Sequence, residues 1–318
     1  MTRDSWPAPD RGAGAAPAGG ATPAAAGRRP KVLVFDIDGV RRDKLREADT
    51  PHLDALAARG RLGPTLTHDP DVHGAVTSSG PGHSTLLTGV WPDKHLVADN
   101  RIDPNALGHY PDVLTRLGGL RPELATFAVG DWPPLIDQII GSPTVKLLVD
   151  YDDGSGPSAS STRRIADWVI QQLVMGDPGL GYVYFLDCDH TAHHFGALSD
   201  EYLRAIHEVD AAIGTILEAV RARPGYDDED WLFLAVTDHG HVDAGGHGGS
   251  EPEVRQIWSL VSGGDAPVAS GPAGAGVRMV DVAPTVLHHL GVEIDPAWGL
   301  DGTAAVPLHP EPADRVTS

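Results

Sequence analysis

The chain has 318 residues, a formal net charge of -20 at pH 7 and one cysteine, Cys188. So acidic a chain is a poor partner for nucleic-acid duplexes or anionic membranes, because both are bound by clustered Lys and Arg side chains. A single cysteine excludes internal disulfides and a cysteine-based zinc cage. No apolar run reaches the roughly 18 residues that would predict a transmembrane helix.

The two ends of the chain have the composition of tails. Residues 1–30 are rich in Ala, Gly and Pro and contain no Leu, Ile, Val or Phe, which predicts disorder. They also lack the apolar segment of about 7 to 15 residues that a secretory signal needs, so we expect a cytoplasmic location. Residues 309–318 are expected to be frayed, which leaves 31–308 as the folded domain.

The folded part is predicted to begin with a strand and a helix. The apolar run 32–35 is typical of a buried strand, and acidic residues, Asp36 and Asp38, follow it at once. Residues 51–60 predict a helix with Thr50 as its N-cap and Gly60 at its C-terminus. This alternation indicates an α/β pattern.

Residues 75–89 place two serines and a Gly-Pro-Gly turn before a short helical stretch. Ser79 would then lie at a helix N-terminus, where free N–H groups and the helix dipole favour an anion. A simple N-cap is the more common role for Ser78 or Ser79, and both interpretations stay open.

The middle of the chain is predicted to form a further strand, a loop and a helix. Residues 126–129 form a weaker candidate strand, followed by Gly130 and Asp131. In the loop after that strand, Trp132 could support a base or ring of a substrate, or could pack at the rim of the domain. Residues 161–175 have the apolar spacing of a helix that faces the core.

The densest cluster of Asp and His follows a third strong strand, over 182–186. Asp189 and His193 are four residues apart in this cluster, so one turn of backbone can direct both at one ion. Ser199 is then predicted to cap a long scaffold helix that ends near Arg223.

The apolar run 231–236 ends on Asp238 and His239, and a glycine-rich loop then carries His247. In open α/β sheets, ligands bind beyond the carboxyl ends of such strands. Later in the chain, 257–263 indicates another strand and 280–290 a closing helix with surface or packing histidines.

These elements predict one domain with a doubly wound, mostly parallel sheet sandwiched between helices. The strand ends would bring together a set of oxygen and nitrogen donors, Asp38, Asp189, His193, Asp238, His239 and His247. The set is large enough for two ions and suits Zn(II) or Mn(II). Two ions about 4 Å apart serve phosphoryl transfer, and Ser79, coordinated by one of them, would be the nucleophile.

The motifs also resemble those of the alkaline phosphatase superfamily, in its branch of type I phosphodiesterases and nucleotide pyrophosphatases. They occur in order as DGVRRD, TPHLDALAARG, TSSGPGHSTLLTG, WPDKHLVADN, DCDHTAHHFG, TDHGHVDAGGHGG, and VDVAPTVLHHLGV with GLDG. The match covers nearly all of 31–308, which would be the catalytic domain.

This resemblance implies two ligand sets. One ion would be held by Asp38, Ser79, Asp238 and His239, and the other by Asp189, His193 and His247. Ser79 stands four residues before His83, where the family places its nucleophile, with Thr77 and Ser78 as alternatives. Asn100 matches an asparagine that donates to a phosphoryl oxygen. His241 and Asp243 are expected either to support the metal ligands from behind or to belong to the loop, without binding an ion themselves.

The implied activity is hydrolysis of phosphoric esters, as a phosphodiesterase or phosphomonoesterase, through a covalent phosphoserine. The substrate would be a small phosphorylated molecule. Arg41, Lys94 and Arg101 could contact a second charged group, or could be solvated surface residues. The sequence leaves the oligomeric state open.

Three other interpretations remain. The segment VFDIDGV resembles the first motif of haloacid dehalogenase-type phosphatases, with Asp36 as nucleophile and Asp38 as acid and base. Metal-dependent phosphosugar mutases share the scaffold, but they usually carry a capping domain. The chain could also be a non-catalytic metal-binding protein.

Overall fold

The computed structural model describes residues 27–154, 160–263 and 276–305. Within them, seven strands form one sheet. The strands are β1 (Arg29–Ile37), β2 (Gly60–Leu66), β3 (Thr126–Gly130), β4 (Val145–Leu148), β5 (Leu180–Phe185), β6 (Glu229–Val236) and β7 (Gln256–Gly263).

The strands lie in the order β2-β7-β6-β1-β5-β3-β4. Neighbours from β6 to β4 are parallel, whereas β7 is antiparallel to both β6 and β2. Asp36 of β1 is in register with Tyr184 on one side and Val236 on the other. The residues that follow β1 and β6 therefore leave the sheet at the same level.

Helices cover both faces of the sheet. They are α1 (Arg42–Glu47), α2 (Pro51–Ala57), α3 (Pro70–His73), α4 (Ser79–Thr88), α5 (Pro92–His95), α6 (Val113–Leu120), α7 (Ser161–Met175), α8 (Asp187–Phe195), α9 (Asp200–Arg221), α10 (Pro252–Arg255) and α11 (Val282–His289). One hydrophobic core lies under α1, α2, α7 and α9, and a second lies under α4, α6 and α11. The predicted α/β class, single domain and mostly parallel sheet are confirmed.

The strand β1 shows why the buried runs do not alternate. Its residues Leu33 and Phe35 belong to one core, and the intervening Val32 and Val34 belong to the other. Because successive side chains of a strand point to opposite faces, a strand covered on both sides needs apolar residues at every position.

Some predicted boundaries are wrong. β1 begins at Arg29, so the end of the supposed N-terminal tail belongs to the sheet. Gly60 does not end a helix, because α2 stops at Ala57 and Gly60 opens β2. Residues 1–26 and 309–318 of the predicted tails lie outside the described residues, as do residues 306–308 at the end of the predicted domain.

Across the described ranges, none of the helices combines the length and the apolar character needed to cross a bilayer.

Candidate active site

Acidic and imidazole side chains from separate segments meet at the carboxyl edge of the parallel strands. Asp38 follows β1, Asp189 lies in the first turn of α8 after β5, and Asp238 follows β6. Parallel strands bring their carboxyl ends to one edge, so residues that are distant in sequence become neighbours there. Two groups of donors result.

The first group consists of Asp38, Asp238 and His239, all of them fully buried. Nε2 of His239 lies 3.5 Å from Oδ1 of Asp38 and 3.2 Å from Oδ2 of Asp238. One ligand atom from each residue lies within 4.8 Å of the others. Two carboxylates and one imidazole at these separations are donors that suit Zn(II) or Mn(II).

The hydroxyl of Ser79 lies against this first group. Ser79 is the first residue of α4, and its Oγ is 3.4 Å from Nε2 of His239. The hydroxyl of Thr77 instead donates to the carbonyl of Gly249 at 2.6 Å. Ser78 is the N-cap residue, and its Oγ makes no capping bond. The position of Ser79 therefore favours it over the other two hydroxyls as the reacting group.

The second group surrounds one oxygen, Oδ1 of Asp189. Nε2 of His241 lies 2.9 Å from it, Nε2 of His193 3.4 Å and Nε2 of His247 3.6 Å. The Nε2 atoms of His193 and His247 are 3.1 Å apart. The structure thus brings together the three residues expected to share an ion, and it adds His241 to them.

Backbone carbonyls orient two of the imidazoles. Nδ1 of His239 lies 3.1 Å from the carbonyl oxygen of Gly240, and Nδ1 of His247 lies 3.0 Å from that of Thr77. A carbonyl only accepts hydrogen bonds, so Nδ1 carries the proton in both rings and Nε2 keeps its lone pair. Metal-binding histidines in proteins are commonly held in this way.

Burial opposes charge on these groups. It raises the pKa of Asp189 to about 7 and that of Asp238 well above its usual range. It lowers the pKa of His241 to about 4 and also lowers those of His239 and His247. Neutral imidazoles beside Asp189 and Asp238, whose carboxyl groups resist ionisation, form an environment that a bound cation would stabilise.

Buried polar atoms without hydrogen-bond partners among the described residues support the same conclusion. Among them are four atoms of the two donor groups: Oδ1 of Asp38, Oδ1 of Asp189, Oδ2 of Asp238 and Nε2 of His241. An unsatisfied buried group of this kind costs roughly 1–3 kcal/mol. Divalent cations would bind these atoms and favour the ionised carboxylates, so the donor sets fit metal ions.

The imidazole ring of His83 lies next to the first group and close to three carboxylates. Its Nδ1 lies 2.7 Å from Oδ2 of Asp36, and its Nε2 lies 3.2 Å from Oδ2 of Asp38 and 3.6 Å from Oδ2 of Asp238. Burial opposes protonation of the ring, but Asp36 and Asp238 outweigh it and raise the pKa of His83 well above its usual value. Asp36 also accepts a hydrogen bond from the hydroxyl of Tyr182.

Asn100 stands at the start of α4. Its Oδ1 accepts a hydrogen bond of 2.7 Å from the N–H of Gly80, the residue after Ser79. With the oxygen committed to the helix, the NH2 group is the part of the side chain left to donate. That arrangement is compatible with the expected contact to a phosphoryl oxygen.

The structure gives two of the predicted cations other partners. Arg41 is 5% exposed, so the suggestion that it is a solvated surface residue is wrong. Its guanidinium group pairs with Asp43 at 2.8 Å and with Asp243 at 2.7 Å, and so it anchors the loop after β6. Lys94 pairs with Asp301 at 2.6 Å.

The other predicted substrate contacts lie nearer the surface. Arg101 has an exposed side chain that pairs with Asp99. Trp132 is half-buried, with its ring 5.8 Å from that of His83 and 6.5 Å from that of Tyr184. It packs against the core beside the first group, and a contact to substrate stays a prediction.

From the sequence, His241 was expected to support the ligands or the loop, and His83 was noted only for its spacing from Ser79. A spacing signal for His241 was present, since it follows His239 by two residues in an irregular segment, and alternate residues of extended chain share a side. The role of His83 had no local signal, because its partners come from two different strands.

The fold and the site together define an α/β domain of the alkaline phosphatase superfamily. Residues 32–117 and 131–254 match the family model described as Type I phosphodiesterase / nucleotide pyrophosphatase. The chain belongs to this family, as its motifs predicted. Its members include hydrolases that act on phosphoric ester bonds.

The relatives are similar to this chain over only part of their own length. Bis(5'-adenosyl)-triphosphatase ENPP4 of Bos taurus is 24% identical over 231 residues, which are 66% of this chain and 47% of that protein. GPI ethanolamine phosphate transferase 1 of Gibberella zeae is 26% identical over 297 residues, 85% of this chain and 28% of that protein. The chain thus spans less than half of either relative.

A solved structure shows the same fold. Murine ectonucleotide pyrophosphatase / phosphodiesterase 5, an inactive form in complex with AMP, superposes with a TM-score of 0.61 at 17% identity. The match covers 84% of this chain and 96% of that one.

Proposed function

We propose that the chain is a metal-dependent hydrolase of phosphoric esters, either a phosphodiesterase or a phosphomonoesterase, that works through a phosphoserine at Ser79. One observation carries the proposal. The hydroxyl of Ser79, at the first position of α4, lies 3.4 Å from Nε2 of His239 in the group that also contains Asp38 and Asp238. Family membership supports the reaction class.

The metal ions belong to the proposal. We assign two divalent cations, Zn(II) first and Mn(II) as the alternative, because the donors are oxygen and nitrogen atoms only. One would be bound by Asp38, Ser79, Asp238 and His239, and the other by Asp189, His193 and His247. When bound, such ions supply positive charge for phosphoryl oxygens and lower the pKa of a coordinated hydroxyl group.

The proposed reaction has two steps, in which Ser79 is first phosphorylated and the phosphoserine is then hydrolysed. Oγ of Ser79 loses its proton to solvent and attacks phosphorus, the bond from phosphorus to the ester oxygen breaks, and that oxygen takes up a proton. A water molecule next loses a proton and attacks the phosphoserine, the bond from phosphorus to Oγ breaks, Oγ takes up a proton, and phosphate or its monoester leaves. The N-terminus of α4 favours the anion, and the NH2 group of Asn100 donates to a phosphoryl oxygen.

The substrate proposed is a small phosphorylated molecule. The relatives suggest nucleotides, since one is a bis(5'-adenosyl)-triphosphatase and the structure of another was solved with AMP. Trp132, beside His83, offers a ring on which a base could stack. A cytoplasmic location also remains a proposal, with which the single cysteine of the chain is compatible, and cell fractionation would test it.

The test is a metal-dependent assay on p-nitrophenyl phosphate and on its diester. The chain is stripped with EDTA, Zn(II) or Mn(II) is added back, and Ser79→Ala is compared with Ser78→Ala. We expect the first variant to lose at least about 10³-fold in turnover while the second keeps it. Acid quenching followed by mass spectrometry should place phosphate on Ser79.

Two bound ions with no hydrolysis of either ester would overturn the proposal in favour of a metal-binding protein. Isomerisation of a phosphosugar without its hydrolysis would point instead to a mutase.

A further inference from the structure

The side chain of His241 is buried in a way that its packing does not explain. Its ring is fully buried, and Nε2 lies 2.9 Å from Oδ1 of Asp189. Neither atom has a hydrogen-bond partner among the described residues, although they are close together. Buried polar atoms are normally satisfied, so two that face each other without a bond indicate a missing shared partner.

The distances fit a single ion between four donors. In a tetrahedral zinc site with bonds of about 2.0–2.1 Å, neighbouring ligand atoms stand about 3.3 Å apart. From Oδ1 of Asp189, the three imidazole Nε2 atoms of His241, His193 and His247 lie at 2.9, 3.4 and 3.6 Å. His193 and His247 are 3.1 Å apart. These four separations scatter around the tetrahedral value.

The surrounding chain holds His241 in this position. Gly39 has a φ of 68°, and a Cβ on it would lie 2.6 Å from Nε2 of His241 and 2.9 Å from Cβ of Asp189. Only glycine therefore lets the turn after β1 come so near to both. On the other side, Arg41 donates to the carbonyl oxygen of His241 at 3.3 Å and pairs with Asp243.

We propose that His241 is a fourth protein ligand of the ion held by Asp189, His193 and His247. This inference rests on the metal dependence of the proposed function. A set of four protein ligands that stay bound is closed, whereas the site of Asp38, Asp238 and His239 has the reacting group Ser79 as its fourth ligand and is open once Ser79 is phosphorylated. The two sites consequently differ in their tasks: the closed site holds its ion tightly, and the open site exchanges ligands during turnover.

A cysteine substitution gives a direct readout of metal contact. In His241→Cys, a thiolate sulfur replaces the imidazole nitrogen as a possible metal ligand. Co(II) bound to a thiolate shows an intense charge-transfer band in the near ultraviolet. We expect this band in Co(II)-loaded His241→Cys and not in the matched control His190→Cys, whose native ring stacks on His194 outside the donor set. Absence of the band from a folded, Co(II)-loaded His241→Cys would overturn the inference.

Metal affinity provides the second measurement. In chelator competition with Zn(II), the wild type should release one ion before the other, and His241→Gln should weaken the tighter site by about 10–100-fold while the other site is unchanged. Two unchanged affinities in His241→Gln would overturn the inference and leave the proposed function intact. A wild-type chain that binds no metal would overturn both. Circular dichroism confirms that each variant is folded.

Discussion

Nδ1 of His83 lies 2.7 Å from Oδ2 of Asp36, and both side chains are fully buried. Asp36 also accepts a hydrogen bond from Tyr182, and it lies within β1 between its neighbours β5 and β6. A carboxylate enclosed in this way holds His83 in place. The geometry argues against Asp36 as a nucleophile, which the dehalogenase-like interpretation requires.

The two interpretations predict opposite results for a pair of variants. Asp36→Asn keeps the shape of the side chain and should lower turnover by no more than about 10-fold, because it acts only through His83. Ser79→Ala should lose at least about 10³-fold, because it removes the attacking atom. Turnover of a phosphate ester is measured with metal content matched. Loss of activity in Asp36→Asn alone would favour the dehalogenase mechanism.

Asn100 offers a test of donation to the substrate. Asn100→Asp keeps an oxygen that can accept from the N–H of Gly80, so the start of α4 is preserved, but it replaces the donor by a negative charge. We expect kcat to fall by about 10²–10³-fold, as for other lost oxyanion donors. Asn100→Ala, which loses both interactions, is the companion variant. Full activity in Asn100→Asp would contradict the assigned donor role.

The buried strands were predictable because burial on both faces leaves a strong mark on sequence. β1, β5 and β6 are runs of apolar residues that stop at an acid, and the site follows from the parallel alignment of their ends. The direction of β7 was not predictable, since its apolar residues fit a parallel or an antiparallel neighbour equally well.

The two edge strands of the sheet, β2 and β4, were not predicted, because their local sequences lack the pattern of a buried strand. β2 contains Gly60, Gly63 and Pro64, residues that are typical of turns, and β7 is its one neighbour in the sheet among the described residues. β4 has exposed and half-buried positions at the opposite edge and so lacks a buried run. The contacts of His83 and His241 likewise depend on segments that meet only in the folded chain.

Gly82 of α4 tests how closely this helix must approach the site. A Cβ at this position would lie 2.7 Å from Cβ of Asp238. Gly82→Ala should therefore displace Asp238 and weaken one metal site by about 10–100-fold, with a matching loss of activity. Chelator competition measures the effect.

The control is Gly119→Ala in α6, where the added methyl group meets open space. It should leave metal binding unchanged and raise the free energy of unfolding by about 0.5–1 kcal/mol. Normal metal binding in Gly82→Ala would show that the contact with Asp238 is not tight.

Asp131 makes the stability of the chain depend on pH. It is 2% exposed, and it accepts hydrogen bonds from the hydroxyl of Ser161 at 2.6 Å and from the N–H of Leu186 at 3.0 Å. Burial raises the pKa of this carboxyl group from 3.8 to about 7. The folded chain thus holds a proton that the unfolded chain has lost, and the contribution of Asp131 to the free energy of unfolding falls as pH rises from about 4 through 7.

Asp131→Asn should remove this contribution, because an amide resembles the protonated acid and does not titrate. A shift from 3.8 to about 7 corresponds to at most about 4 kcal/mol across that pH range. The measurement is urea unfolding at pH 4.5 and pH 8 with chelator present. The free energy of unfolding of the variant, relative to that of the wild type, should be higher at pH 8 than at pH 4.5. Asp137→Asn, an exposed change in the same segment, is the control. A difference between Asp131→Asn and wild type that does not change with pH would mean that Asp131 is ionised throughout, and that the bonds from Ser161 and Leu186 outweigh its burial.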